Sequence, residues 1–196
     1  MKTSNSFPIG LAANWQEPDK QGIADAKLKN WLLDTGSLTE RLQSHCRDFR
    51  VQVLGQGQTE VSIEEIQQLA RFSAVSRDIK WQVREVLLWG NNQPWVFARS
   101  IIPEQMCRAE FAGLGNQPLG KLIFNDPRFK RMPFQITQIS SSHPITSSLN
   151  LPSQHSLWAR RSVFQFGGLA LSVAELFLPL SPAYAAMSQV STHNAN

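Results

Sequence analysis

Leu157-Trp158-Ala159-Arg160-Arg161-Ser162-Val163-Phe164-Gln165-Phe166 and Leu169-Ala170-Leu171-Ser172-Val173-Ala174-Glu175-Leu176-Phe177-Leu178-Pro179 flank the pair Gly167-Gly168. Two β-rich runs around two glycines read as a hairpin, because glycine supplies the positive φ of a tight turn without steric cost. Side chains alternate faces along a strand. Leu169, Leu171, Val173, Glu175 and Phe177 therefore share one face, and Ala170, Ser172 and Ala174 the other. One carboxylate thus stands among large apolar side chains. Leaving it buried and unpaired costs on the order of several kcal/mol, so Glu175 needs a partner, a raised pKa or a ligand. A structural arginine, or solvent at a sheet edge, would satisfy it equally well.

Gly168 to Met187 is about long enough to span a bilayer. Against that stand Glu175 near its middle, at roughly +3 kcal/mol for a central acid, and Pro179 and Pro182 beyond it. The segment reads as a buried strand.

At 196 residues the chain is long enough for one domain with a sizeable core, and 42% hydrophobic content is that of a globular protein. The formal charge of +4 is spread along the sequence rather than gathered into runs, which argues against a nucleic-acid partner. Cys46 and Cys107 stand far apart with no CxxC, as expected of two free thiols in a reducing compartment. His45, His143, His155 and His193 form no ligand spacing, so no metal is expected. The first residues lack the apolar run of a signal peptide, and a cytoplasmic location follows as the expectation.

Residues 1–24 are polar and proline-containing and read as loosely ordered. Ala24 to Asp34 carries Leu28, Trp31 and Leu32 at helical spacing. Ser37-Leu38-Thr39-Glu40 then opens a second helix as a capping box, leaving the amides of Leu38 and Thr39 without intrahelical partners. Val51 to Leu54 reads as a strand ending at Gly55-Gln56-Gly57, and Ile63 to Leu69 as a short helix. Lys80–Trp89 and Trp95–Ile102 read as a hairpin turning at Gly90-Asn91-Asn92-Gln93. Pro103–Phe111 reads as a helix, Phe134–Ile139 as a strand, Ser140–His155 as loop, and residues 185–196 as a disordered tail. Hairpin-linked strands with helices between them indicate an α+β fold with an antiparallel sheet.

Gly115-Asn116-Gln117-Pro118-Leu119-Gly120-Lys121 has the spacing of a P-loop, but Leu122 stands where the Mg²⁺-binding Ser or Thr belongs. It also follows a helical segment rather than a strand, and Pro118 suits the start of a short helix with Leu119 next. No nucleotide site is expected, and no nucleophile motif is present.

Several segments together resemble the chorismate lyase family. They are Gly36-Ser-Leu-Thr-Glu-Arg-Leu42, Trp81-Gln-Val-Arg-Glu-Val-Leu-Leu88, Pro94-Trp95, Pro118-Leu-Gly-Lys-Leu-Ile-Phe124, Trp158-Ala-Arg-Arg-Ser162 and Ala174-Glu-Leu-Phe-Leu-Pro179. The resemblance covers residues 25–184, in the family's order, and rests on the order and spacing of motifs that are each weak alone. It implies one domain with a six-stranded antiparallel sheet, helices packed on it and an enclosed ligand pocket. The implied reaction is chorismate to 4-hydroxybenzoate and pyruvate, in ubiquinone biosynthesis, by a monomer with no cofactor and no membrane insertion. By the same resemblance Arg84 holds the ring carboxylate with the backbone at Leu38, and Glu175 and the backbone at Leu119 engage the hydroxyl at the far end of the ring.

Arginine's planar fork matches a carboxylate bidentately, which fits such a role for Arg84. Strand parity points elsewhere, since it places Glu85 with Trp81, Val83 and Leu87, and Arg84 with Gln82 and Val86. Periodicity alone makes Glu85 the buried charge and Arg84 the surface one. Arg160 and Arg161 read as a solvated edge, as a structural pair for an acid such as Glu85, or as an attractant for a dianion. The rival function is a non-catalytic ligand-sensing domain of the same architecture, as in the effector halves of bacterial regulators, where a helix-turn-helix precedes the fold. Some 25 residues ahead of the resemblance are too few for that module.

Overall fold

A computed structural model describes residues 7–73, 79–113, 115, 117–152 and 156–184. Seven strands form one antiparallel sheet: β1 (Phe49–Gln58), β2 (Trp81–Gly90), β3 (Gln93–Pro103), β4 (Lys130–Arg131), β5 (Gln135–Ile139), β6 (Leu157–Phe166) and β7 (Leu169–Phe177). The order is β1-β2-β3-β7-β6, and β4 and β5 share the last position, each pairing part of β6. Six strands were expected and seven form, because Met132 to Phe134 interrupts the edge that β4 and β5 share.

Both tight turns follow local chemistry. Asn91 and Asn92 adopt φ of 48° and 62° between β2 and β3, and Gly167 and Gly168 adopt 55° and 79° between β6 and β7. Two successive positive φ values match the right-handed twist of the flanking strands. Gly90 has a second reason to be glycine, because a Cβ there would lie 2.2 Å from the Trp95 ring. β1 runs through Gly55 and Gly57 rather than stopping there, with a bulge between Val53 and Gly55.

The helices are α1 (Ala26–Leu32), α2 (Leu38–Gln43), α3 (Ile63–Ala70), α4 (Glu104–Glu110), α5 (Leu119–Asn125) and α6 (Pro144–Ser148). Asp25 caps α1 by accepting from the amides of Lys27 and Leu28, and Ser37 caps α2 by accepting from Glu40. Ser62 and Glu65 cap α3 reciprocally. α6 lies inside the segment read as loop, where the His143 ring caps Ile145 and Thr146 is buried. No helix among the described residues is long and apolar enough to cross a membrane.

Both faces of the sheet are covered. On one, α4 and α5 pack Met106, Leu119 and Ile123 against Ile102, Phe164 and Leu171, while Trp31 of α1 meets Phe177 edge-on. On the other, Leu69 of α3 meets Trp81, Val83, Ile101 and Val163. The N-terminal segment completes that second layer. Residues 7–24, expected to be loose, pack: Leu11 is buried, Gln16 bridges Ile136, and the amides of Ile9 and Gly10 donate to Glu85 at 2.7 and 2.8 Å. The expectation for residues 185–196 lies outside the described residues.

Two covered faces also account for the parity problem. Arg84 and Glu85 are both buried, on opposite sides of β2. Glu85 meets Arg99 at 2.7 Å, and Arg99 also reaches Glu65 of α3. Burial alone would lower the Arg99 pKa, but the Glu65 and Glu85 carboxylates more than offset it. The suggested partnership of Arg160 or Arg161 with Glu85 is therefore not formed.

Candidate functional site

On the face under α2 and α5, register sets two rows of side chains across the sheet. Arg84, Ser100, Val173 and Ser162 form one row; Val86, Ala98, Glu175 and Arg160 form the next. Arg84 and Glu175 are thus two strands apart laterally and two residues apart along the strands. Their Cα atoms lie about 12 Å from each other, taking about 4.8 Å between strands and about 3.3 Å per residue. Both line a cavity of about 50 Å³, roofed by Leu38 and Thr39 of α2 and by Leu119 and Gly120 of α5. The four residues implied by the resemblance, Leu38, Arg84, Leu119 and Glu175, are brought to one place.

Arg84 is only 3% exposed. Its Nη1 donates to Gln56 Oε1 and to the Gly115 carbonyl, and its Nη2 to the Gln117 carbonyl. No carboxylate pairs with it among the described residues, and burial lowers its pKa. Nε has no partner among the described residues, so the edge formed by Nε and Nη2 retains donors. The loop that mimicked a P-loop turns carbonyls toward a cation here, the reverse of phosphate binding.

Glu175 takes the partner that its burial requires. Arg160 Nε donates to Glu175 Oε2 at 2.6 Å, and its Nη1 donates to the carbonyls of Trp31, Leu32 and Asp34 where α1 ends. Arg160 is one of the most deeply buried side chains, at 1% exposure. Arg161 faces the other way, bonded to Gln135 and placed over the Trp15 ring.

The first amides of α2 and α5 lack helical acceptors by geometry. Ser37 meets one of those at α2 through the Glu40 amide, and Pro118 precedes α5 without a side-chain cap.

Arg131 was not anticipated. It lies in the two-residue strand β4, its Nε donates to Ser162 Oγ at 3.2 Å and its Nη1 to the Thr35 carbonyl at 2.9 Å. Burial, then the nearby Arg160 charge, pulls its pKa down to about 10, with Glu175 and Asp34 opposing. The cavity lining thus carries three guanidiniums, of Arg84, Arg131 and Arg160, against the single carboxylate of Glu175. Such a site favours an anion.

No group of three or more His, Cys, Asp or Glu side chains that could hold a metal ion occurs among the described residues. Cys46 and Cys107 are free, and burial pushes the Cys107 thiol up to about 11, away from nucleophilic use.

The family model described as chorismate lyase matches residues 11–189. A probable chorismate pyruvate-lyase of Pseudoalteromonas atlantica is 49% identical over 181 residues, covering 92% of this chain and 94% of that protein. One of Shewanella frigidimarina is 36% identical, covering 93% and 96%. Among solved structures, the effector domain of PhnF from Mycobacterium smegmatis superposes with a TM-score of 0.55 at 12% identity, over 74% of this chain and 89% of that one. That likeness is one of fold.

Proposed function

This chain belongs to the chorismate lyase family, and on that premise we propose that it converts chorismate to 4-hydroxybenzoate and pyruvate, for ubiquinone biosynthesis, without metal or organic cofactor. The observation that carries the reading is Arg84, a buried guanidinium with no acid partner among the described residues, opening on the cavity that Glu175 enters from another strand. A buried cation without a counter-charge is costly, and a ligand carboxylate relieves that cost.

In this reading the ring carboxylate lies on Arg84 near the Leu38 backbone, and the ring hydroxyl lies between Glu175 and the Leu119 backbone. The ether bond to the enolpyruvyl group breaks. The hydrogen on the hydroxyl-bearing carbon moves to the enolpyruvyl methylene, which becomes the methyl of pyruvate, and the ring becomes aromatic. The protein's task is to hold the reactive conformer away from water, which supplies several kcal/mol on the order-of-magnitude scale. Glu175 positions the hydroxyl, because the methylene accepts the hydrogen itself. A cavity of about 50 Å³ holds only a few waters. The ring therefore enters as α2 and α5 give way and close over it, and the product, which keeps both anchors, leaves slowly.

Purified protein mixed with chorismate should release pyruvate and 4-hydroxybenzoate in equal amounts, before and after dialysis against a strong chelator. Binding of 4-hydroxybenzoate without turnover of chorismate would favour the ligand-sensing reading, to which the regulator effector domain lends its fold alone.

A further inference from the structure

Chorismate carries two carboxylates, and Arg84 accounts for only one. Of the three guanidiniums lining the cavity, Arg160 is committed to Glu175 and to the end of α1. Arg131 is not: among the described residues it has neutral partners only, the Ser162 hydroxyl and the Thr35 carbonyl. We propose that Arg131 binds the second carboxylate, the one on the enolpyruvyl side chain. This rests on the reading of chorismate as substrate.

The position of Arg131 agrees with the connectivity of that molecule. The ether oxygen and the hydroxyl sit on adjacent ring carbons, so the enolpyruvyl group must project beside the hydroxyl end of the site. Arg131 lies at that end. Its guanidinium carbon is 3.7 Å from the centre of the Phe134 ring, and that of Arg160, the partner of Glu175, is 4.8 Å from the same ring. The Phe134 face and the Ser162 and Thr35 oxygens hold the guanidinium in a fixed plane, as two-point recognition of a carboxylate requires.

Space points the same way. The ring cavity offers about 50 Å³, whereas a second cavity of about 530 Å³ adjoins it, with Arg131, Ile123, Phe124 and Phe164 in both linings. A side chain on the ring that exceeds the first volume meets Arg131 on its way into the second. Burial and the Arg160 charge both make an unpaired guanidinium here unfavourable, so an arriving carboxylate gains from both.

The product lacks the enolpyruvyl group, and that separates this role from a structural one. In full-length protein, Arg131→Gln should lower kcat/KM for chorismate by about 10- to 100-fold while leaving the Kd for 4-hydroxybenzoate within about twofold of wild type. Arg131→Lys, which keeps the charge but loses the fork, should fall between them. Equal losses for chorismate and for 4-hydroxybenzoate would make Arg131 a support of the ring site and overturn the proposal, as would unchanged kcat/KM. Should Arg131→Gln fail to fold, the Lys variant carries the same comparison. Wild-type protein that neither binds nor cleaves chorismate sinks the parent reading and this inference together. Wild-type turnover matched by both variants sinks this inference alone.

Discussion

Arg160 Nε donates to Glu175 Oε2 at 2.6 Å from the neighbouring strand, while the rest of the Arg160 guanidinium closes the C-terminus of α1. One oxygen of the carboxylate is thereby fixed, and Oε1 takes no hydrogen bond among the described residues. The pair is structural and part of the site at once, which makes the choice of substitution informative.

Glu175→Gln keeps the shape and can still meet both Arg160 and a hydroxyl. If Glu175 positions the ring, kcat should stay within about tenfold of wild type, whereas a loss of roughly 10²-fold or more with unchanged binding identifies proton transfer. Glu175→Ala should weaken 4-hydroxybenzoate binding. Arg160→Met leaves the carboxylate and three carbonyls unmatched, and urea denaturation should show a loss of about 3–5 kcal/mol.

Arg84→Ala should weaken 4-hydroxybenzoate by about 2–5 kcal/mol, with Arg84→Lys intermediate, because only arginine offers the fork. Affinities within about twofold of wild type, measured by titration calorimetry, would leave Arg84 as a brace for Gly115 and Gln117 alone.

Gly90→Ala places a methyl inside the Trp95 ring and should destabilise by about 1–3 kcal/mol. A melting temperature equal to wild type would show that Trp95 can swing aside.

Tyr184 is the only tyrosine, buried, with its oxygen accepting the Trp158 amide at 2.7 Å. Burial raises its pKa well above the ordinary 10.0. The folded chain therefore binds a proton that the unfolded chain gives up near pH 10, so this contribution is complete below pH 10 and lost as pH rises further. Absorbance of tyrosinate at 295 nm should rise together with unfolding rather than before it. A rise near pH 10 in folded protein would contradict the burial.

The sequence showed the elements whose chemistry is local. Gly167-Gly168 and Asn91-Asn92 specify their turns, and Ser37 its helix, while the Asp25 cap of α1 shows only in the structure. It misplaced Arg84 because period-two reasoning assumes one dry face, the Glu85 face under α3 and residues 7–16, and here α2 and α5 cover the Arg84 face as well. The partner of Glu175 stood at the fourth residue of the preceding strand, yet only register reveals that Arg160 and not Arg161 faces it. Arg131 left no signal, since a strand of two residues has no period. Gln56, read as the end of a strand, proved to hold Arg84.

The order of the strands has a kinetic consequence. Arg84 belongs to the β2–β3 hairpin, and Arg160 and Glu175 to the β6–β7 hairpin, and each hairpin closes through its own tight turn. The two meet along β3 and β7, from Val96 opposite Phe177 to Ile101 opposite Ser172, a seam between parts of the chain far apart in sequence. Short loops close at little entropic cost and long ones at more, so this seam is the slow junction of folding. The cavity straddles it. In refolding from urea, recovery of 4-hydroxybenzoate binding should follow the slowest phase of β3–β7 association, and a half-folded chain with both hairpins intact should bind nothing.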